Sequence, residues 1–235
     1  MMATMERPLD RAGLERWIAS QDWYQTIELT NGLVTPGRTP TNRRLSYLRQ
    51  IDFRHKRVLD VGCNSGQYAL LAKQQGAREV VGVDLDEVRL EQGRVLAECE
   101  GLDVTFQRCS VFDVPALGRF DVVLCVAVVT EVPNLFGAIE ALRQVIGSYA
   151  FLELDLARPF VYLSRPRARK PMAGHIPRSR ALAEIRQTKQ GRLVLSPTFE
   201  VLSGAFGDEF ELTDRGQGVK YQMVDVVRRS DGLPV

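Results

Sequence analysis

The sequence predicts an α/β fold with a mostly parallel, doubly wound sheet, and two observations carry that prediction. From Arg57 to Ala157, short apolar runs alternate with stretches of helical periodicity. The runs are nearly continuous Val, Leu and Ile, the composition of strands buried on both faces. Such alternation implies right-handed crossovers, a parallel sheet and helices on both of its sides.

The expected strands cover residues 58–61, 80–84, 104–107, 120–125 and 150–154. Val88, Val95, Leu96 and Cys99 share one helical face, closed by Gly101. Leu135, Ile139, Leu142 and Ile146 mark a further helix, ended by Gly147. Residues 1–56 read as a cap ahead of this core. Leu14, Trp17 and Ile18 suggest its first helix, and Leu45, Leu48 and Ile51 its second. Between them residues 23–29 read as a strand, and Asn31-Gly32 is a turn signal. Residues 210–212 and 219–223 read as a C-terminal hairpin around the turn 214–218. The main domain is expected over 57–235, with 158–192 as a basic insertion or lid.

Composition narrows the class. The chain has 235 residues, 45% apolar and 26% charged, which is ordinary for one globular domain with an elaboration. A net charge of +2 argues for neither nucleic acid nor a membrane surface. Cys63, Cys99, Cys109 and Cys125 form no CxxC pair, so no metal site is expected. No run approaches the roughly 18 apolar residues of a membrane span, and no apolar stretch follows the N-terminal Met-Met-Ala-Thr-Met-Glu-Arg. A cytoplasmic enzyme is the expectation, with oligomeric state open.

The chemistry begins at Asp60-Val61-Gly62-Cys63-Asn64-Ser65-Gly66, a strand ending in a glycine turn that opens a helix at Gln67. Gly62 permits a turn that a side chain would obstruct, and Gly66 lets the helix approach the strand closely. The N–H groups at the helix start are expected to favour a negative group on a ligand. The next strand ends in Asp84, placed to accept from both hydroxyls of a ribose. The plainer reading of Asp84, a cap for the following helix, competes with Asp86, which is available for that task. A dinucleotide site would show Gly-x-Gly-x-x-Gly; here the glycines stand four residues apart with Asn64 between them.

That combination resembles motif I of class I S-adenosylmethionine-dependent methyltransferases, with Asn64 in place of the middle glycine. The resemblance runs over about residues 56–157. Asp84 and Leu85 match the ribose-binding acid and the residue that packs on adenine. Cys109-Ser110-Val111-Phe112 matches the adenine loop, with Ser110 replacing the usual Asp. Residues 120–125 match the strand whose end, at Cys125, lies under the reactive sulfonium. The resemblance implies a Rossmann-like, seven-stranded sheet with the C-terminal hairpin as its antiparallel edge. It implies S-adenosyl-L-methionine as cofactor, held by Asp60, Gly62, Cys63, Asn64, Gly66, Asp84, Leu85, Ser110, Val111 and Cys125. Residues 23–29, followed by Gly32 and Val34-Thr35-Pro36-Gly37, and Val61 to Gly66 also resemble relatives of the tRNA wobble-uridine carboxymethylating enzyme. In such relatives the aromatic segment covers the cofactor, which implies substrate contacts from Trp23, Tyr24 and Thr26; the alternative is that the aromatics only pack against the core.

The acceptor is less legible. Methyl transfer needs a nucleophile held at near-attack distance, and a base only where that nucleophile loses a proton. Glu131, after the fourth strand, is a candidate base or partner for a cationic amine; alternatively it charges the start of the next helix. His175 is a second candidate base, or simply a solvated loop residue. The segment 158–180 holds seven basic residues, Arg165 and Arg167 among them, four prolines and no acid. It is expected to steer an anionic substrate or RNA, or to be a solvated loop. The leading expectation is methylation of an oxygen or nitrogen of a small, possibly anionic metabolite. RNA modification and a cofactor-binding protein without catalysis are the alternatives.

Overall fold

The computed structural model describes residues 10–39, 42–157, 183–187, 193–217 and 221–229. Five parallel strands form the centre of one sheet: β1 (Arg57–Val61), β2 (Glu79–Asp84), β3 (Thr105–Arg108), β4 (Phe120–Val126) and β5 (Ile146–Leu154). Two antiparallel strands, β8 (Phe210–Gln217) and β9 (Gln222–Arg228), complete it in the order β3-β2-β1-β4-β5-β9-β8. A separate antiparallel pair, β6 (Ala183–Gln187) and β7 (Leu193–Pro197), was not foreseen in the sequence.

Helices cover both faces because the central strands β1, β2, β4 and β5 bury successive residues on both. Leu59, Val61, Val123, Cys125 and Leu152 pack with α5 (Leu135–Val145) and α6 (Phe199–Phe206). The alternate residues Val58, Val80, Val122, Leu124 and Phe151 pack with α3 (Gln67–Gln74), α4 (Glu87–Cys99) and the cap. The cap supplies α1 (Arg11–Ser20), whose Leu14 and Ile18 are buried, and α2 (Asn42–Leu48). Asp10 caps α1 by accepting from the Gly13 N–H at 2.6 Å. No helix among the described residues is long and apolar enough to cross a membrane.

Three expectations need correction. Residues 23–29 form no strand; they run extended, with isolated bridges only from Gln25 to Thr39 and Glu28 to Val34. Ile146 does not end α5 but opens β5 directly, and a Cβ at Gly147 would lie 2.7 Å from the Phe120 carbonyl oxygen. β8 runs through the predicted turn residues 214–217, because cross-strand bonds from Arg215 to Asp225 and from Gln222 to Asp214 hold them in the ladder.

Strand order reverses between β1 and β4, whose crossovers leave toward opposite faces. A crevice at the carboxyl ends of the strands follows from that reversal. The ends of β1, β2 and β4 meet there.

Candidate active-site cleft

The floor of the crevice is the turn after β1. The N–H groups of Gly62 and Cys63 both donate to the Val83 carbonyl, at 2.8 and 2.9 Å, fastening the turn to β2. Gly62 takes φ +71°, and a Cβ there would lie 2.2 Å from Val128 Cγ2. Asn64 has φ 52°, a region that Asn tolerates better than most residues. Its Oδ1 accepts from the Ser65 N–H at 2.9 Å, so the side chain serves the turn itself. Gly66 caps α3 with φ +83°, and a Cβ there would meet the Phe106 ring at 2.5 Å.

The start of α3 departs from the expected anion seat. Gln25 Oε1 accepts from the Gln67 N–H at 3.2 Å, and Asp60 Oδ2 accepts from the Ala69 N–H at 3.1 Å. Two of the donors that would hold a phosphate are thereby occupied by the protein's own side chains. This is a physical reason, beyond glycine spacing, against a dinucleotide pyrophosphate here.

Asp84 stands at the edge of the turn with its carboxylate fixed by backbone donors. Oδ1 accepts from Leu85 and Asp86 N–H at 2.7 and 3.0 Å, and Oδ2 from Asn64 N–H at 2.9 Å. The cap of α4 is Asp86, which accepts from Val88 and Arg89 N–H. Asp84 is therefore left as an oriented acceptor at the cleft.

The cleft measures about 580 Å³ and falls in the ordinary range for a cofactor site. Gly62, Asn64, Asp84, Leu85, Ser110, Val111, Glu131 and Tyr24 line it together. Leu85 is 59% exposed, Tyr24 50% and Phe112 40%, which gives the mouth apolar surfaces suited to a flat aromatic ring. Asp60, Cys63 and Cys125 are buried and are not among the lining residues; beyond Cys125 the wall is Val126, Ala127 and Val128. Gly66 is likewise away from the lining, packed on Phe106.

Trp23 does not line the cleft. It is 2% exposed, sits edge-to-face on Trp17 with centroids 5.6 Å apart, and donates its indole N–H to the Ile18 carbonyl. Successive side chains of an extended chain point opposite ways, so Tyr24 takes the cleft side instead. Thr26 also stands off the lining, its carbonyl accepting from Gln67 Nε2 at 2.5 Å. His175, Arg165 and Arg167 lie outside the described residues.

The structure adds groups that sequence reasoning missed. Gln25 bridges the cap to the turn, donating Nε2 to the Cys63 carbonyl at 3.2 Å. Arg44 donates Nε to Glu153 Oε2 and Nη1 to Tyr68 Oη, the latter at 2.6 Å. Burial alone would lower the Arg44 pKa; its bonds to Glu153 and Tyr68 raise it above the ordinary arginine value, and the group stays charged. Tyr221, on the approach to β9, donates its hydroxyl to Glu131 Oε1 at 3.3 Å. Asp60, fully buried, has its pKa pushed up to about 7 by burial; the Ala69 N–H opposes this and the Asp84 charge adds to it.

The cleft thus brings together an acid at Asp84, apolar faces, the Arg44 cation and a second carboxylate at Glu131. Residues 58–148 match a family described as methyltransferase domain. A ribosomal protein L11 methyltransferase of Ralstonia pickettii is 39% identical over 100 residues, 42% of this chain and 33% of that protein. A ubiquinone biosynthesis O-methyltransferase of Coxiella burnetii is 29% identical over 137 residues, 57% of this chain and 56% of that protein. The match thus spans from about a third to just over half of the length of these relatives. Among solved structures, the N-terminal domain of EvdMO1, crystallised with SAH and D-fucose, superposes with a TM-score of 0.69. That likeness covers 96% of this chain and 99% of the other at 18% identity, and so speaks to the fold. Over residues 58–148 the chain is thus similar to methyltransferase domains, and it shares the fold of a protein crystallised with SAH.

Proposed function

We propose that this protein transfers a methyl group from S-adenosylmethionine to an oxygen or nitrogen of a small metabolite, with Glu131 as the general base. The observation that carries the reading is one cleft lined by both Asp84 and Glu131, together with the wall Val126–Val128. Asp84 would hold the ribose hydroxyls, while Leu85, Ser110, Val111 and Phe112 would enclose the adenine. Arg44 and Tyr68, toward β5, would hold the carboxylate of the amino-acid end. The cofactor supplies a methyl group on positively charged sulfur; the protein's part is to position, exclude water and move one proton.

Glu131 and Tyr221 line the same cleft and are hydrogen-bonded to each other, and an acceptor would enter beside them. The Glu131 carboxylate would accept the acceptor's proton, and the Tyr221 hydroxyl would orient that carboxylate. An O-methyltransferase among the relatives, and the D-fucose present with EvdMO1, favour a hydroxyl-bearing acceptor. Recognition of an acidic group on the acceptor is proposed for Arg165 and Arg167. Kinship with the wobble-uridine branch rests on Val61 to Gly66 and on residues 23–29 with Gly32 and Val34 to Gly37.

Methyl-labelled cofactor and fractionated cell extract test this. Label should enter the small-molecule fraction. Glu131→Gln should cut turnover by about 100-fold or more, as for loss of a general base, while SAH affinity stays within about twofold. Label entering only RNA would replace this reading with the RNA-modifying one. SAH binding with no label transferred to any fraction would point to a protein without catalysis.

A further inference from the structure

Three elements distant in sequence converge on one buried polar cluster: Arg44 from α2, Tyr68 from the first turn of α3, and Glu153 near the end of β5. The Glu153 side chain has no exposed surface, and its second oxygen, Oε1, is buried with no hydrogen-bond partner. Tyr68 is 3% exposed. A half-satisfied buried network is costly, and apolar residues of similar volume often serve stability as well or better. The cluster therefore calls for a role other than holding the cap down.

Arg44 points to one. Among the described residues it is the only cation lining the cleft. Its Nε and Nη1 are engaged by Glu153 and Tyr68, and Nη2 makes no hydrogen bond among the described residues. An arginine side chain has many rotamers, and a planar guanidinium held at Nε and Nη1 presents its remaining donors in a defined direction. We infer that Glu153 is a positioning residue: by gripping Nε it holds the Arg44 guanidinium so that its remaining donors meet the carboxylate of the cofactor's amino-acid end. This rests on the placement of that carboxylate at Arg44 under the proposed function.

Two ligands separate this role from simple structural support. S-adenosylhomocysteine carries the amino-acid carboxylate; 5′-methylthioadenosine has the same nucleoside and lacks it. Glu153→Gln should weaken S-adenosylhomocysteine about tenfold, the scale of one hydrogen bond to a charged group, and leave 5′-methylthioadenosine within about twofold. Arg44→Met should weaken S-adenosylhomocysteine at least as much. In the Arg44→Met background, Glu153→Gln should change neither ligand by more than about twofold, since its agent is already gone. The double variant carries neither charge, so no bare buried ion remains to unfold it; should Glu153→Gln alone fail to fold, Glu153→Asp is read the same way. Equal losses of both ligands, or an undiminished Glu153→Gln effect in the Arg44→Met background, would overturn the inference. A wild-type protein that binds neither ligand would instead overturn the functional reading beneath it.

Discussion

Replacing Gly62 by alanine puts a methyl group where the cleft floor has no room. The backbone there is at φ +71°, which costs an L-residue about 1–2 kcal/mol. The new Cβ would also lie 2.2 Å from Val128 Cγ2, and overpacking of that kind costs about 1–3 kcal/mol. Together these give a loss of about 2–5 kcal/mol. Val128→Ala removes the clashing methyl and leaves Val128 Cβ at 3.6 Å, an ordinary contact. In the Val128→Ala background, Gly62→Ala should therefore cost only the backbone strain of about 1–2 kcal/mol. Urea denaturation of the four proteins yields the coupling directly, expected at about 1–3 kcal/mol in favour of the double variant. Additive losses would refute the claim that the glycine is needed because Val128 stands over it.

Two further perturbations follow from burial. Asp60 has a folded-state pKa of about 7 against about 3.9 unfolded, so the folded state holds the extra proton between those values. Wild-type stability should fall as pH rises from about 4 to 7, by at most about 4 kcal/mol, and level off above; Asp60→Asn should lack that slope. Equal variant-minus-wild-type differences at pH 5 and pH 8 would remove the Asp60 account. Phe106 fills the space left by Gly66, Gly82 and Gly93, each of whose Cβ positions lies within 3.0 Å of its ring. Phe106→Ala should cost about 3–5 kcal/mol by calorimetric melting, and a loss under about 1 kcal/mol would contradict that packing.

The sequence made the central sheet readable because runs such as Val58–Val61 and residues 120–125 are apolar on both faces, and only a doubly covered strand can use that pattern. Asp86 as the α4 cap and Gly62 as the tight turn were readable for the same local reason. What failed depended on contacts across the fold. Periodicity carried Ile146 into a helix, although pairing with Phe120 makes it the first residue of β5. Turn-prone Asp214, Arg215 and Gly216 hid a strand that Asp225 and Gln222 hold in place. Arg44 and Glu153 are 109 residues apart, and no local pattern joins them. One signal was present: Glu153 sits between Leu152 and Leu154 in an otherwise apolar strand, and a buried acid there requires a partner. Trp23 and Tyr24 show the converse, where alternation along extended chain forbade both from facing the cleft.

The central claim is that the cleft at the ends of β1, β2 and β4 holds S-adenosylmethionine through Asp84. Titration calorimetry with S-adenosylhomocysteine, on wild type and Asp84→Ala, tests it most directly. Wild type should bind, and the variant should bind about 1.5–3 kcal/mol more weakly, as for lost hydrogen bonds to a charged group. Unchanged affinity in Asp84→Ala, or wild type binding a nicotinamide dinucleotide and not S-adenosylhomocysteine, would contradict it.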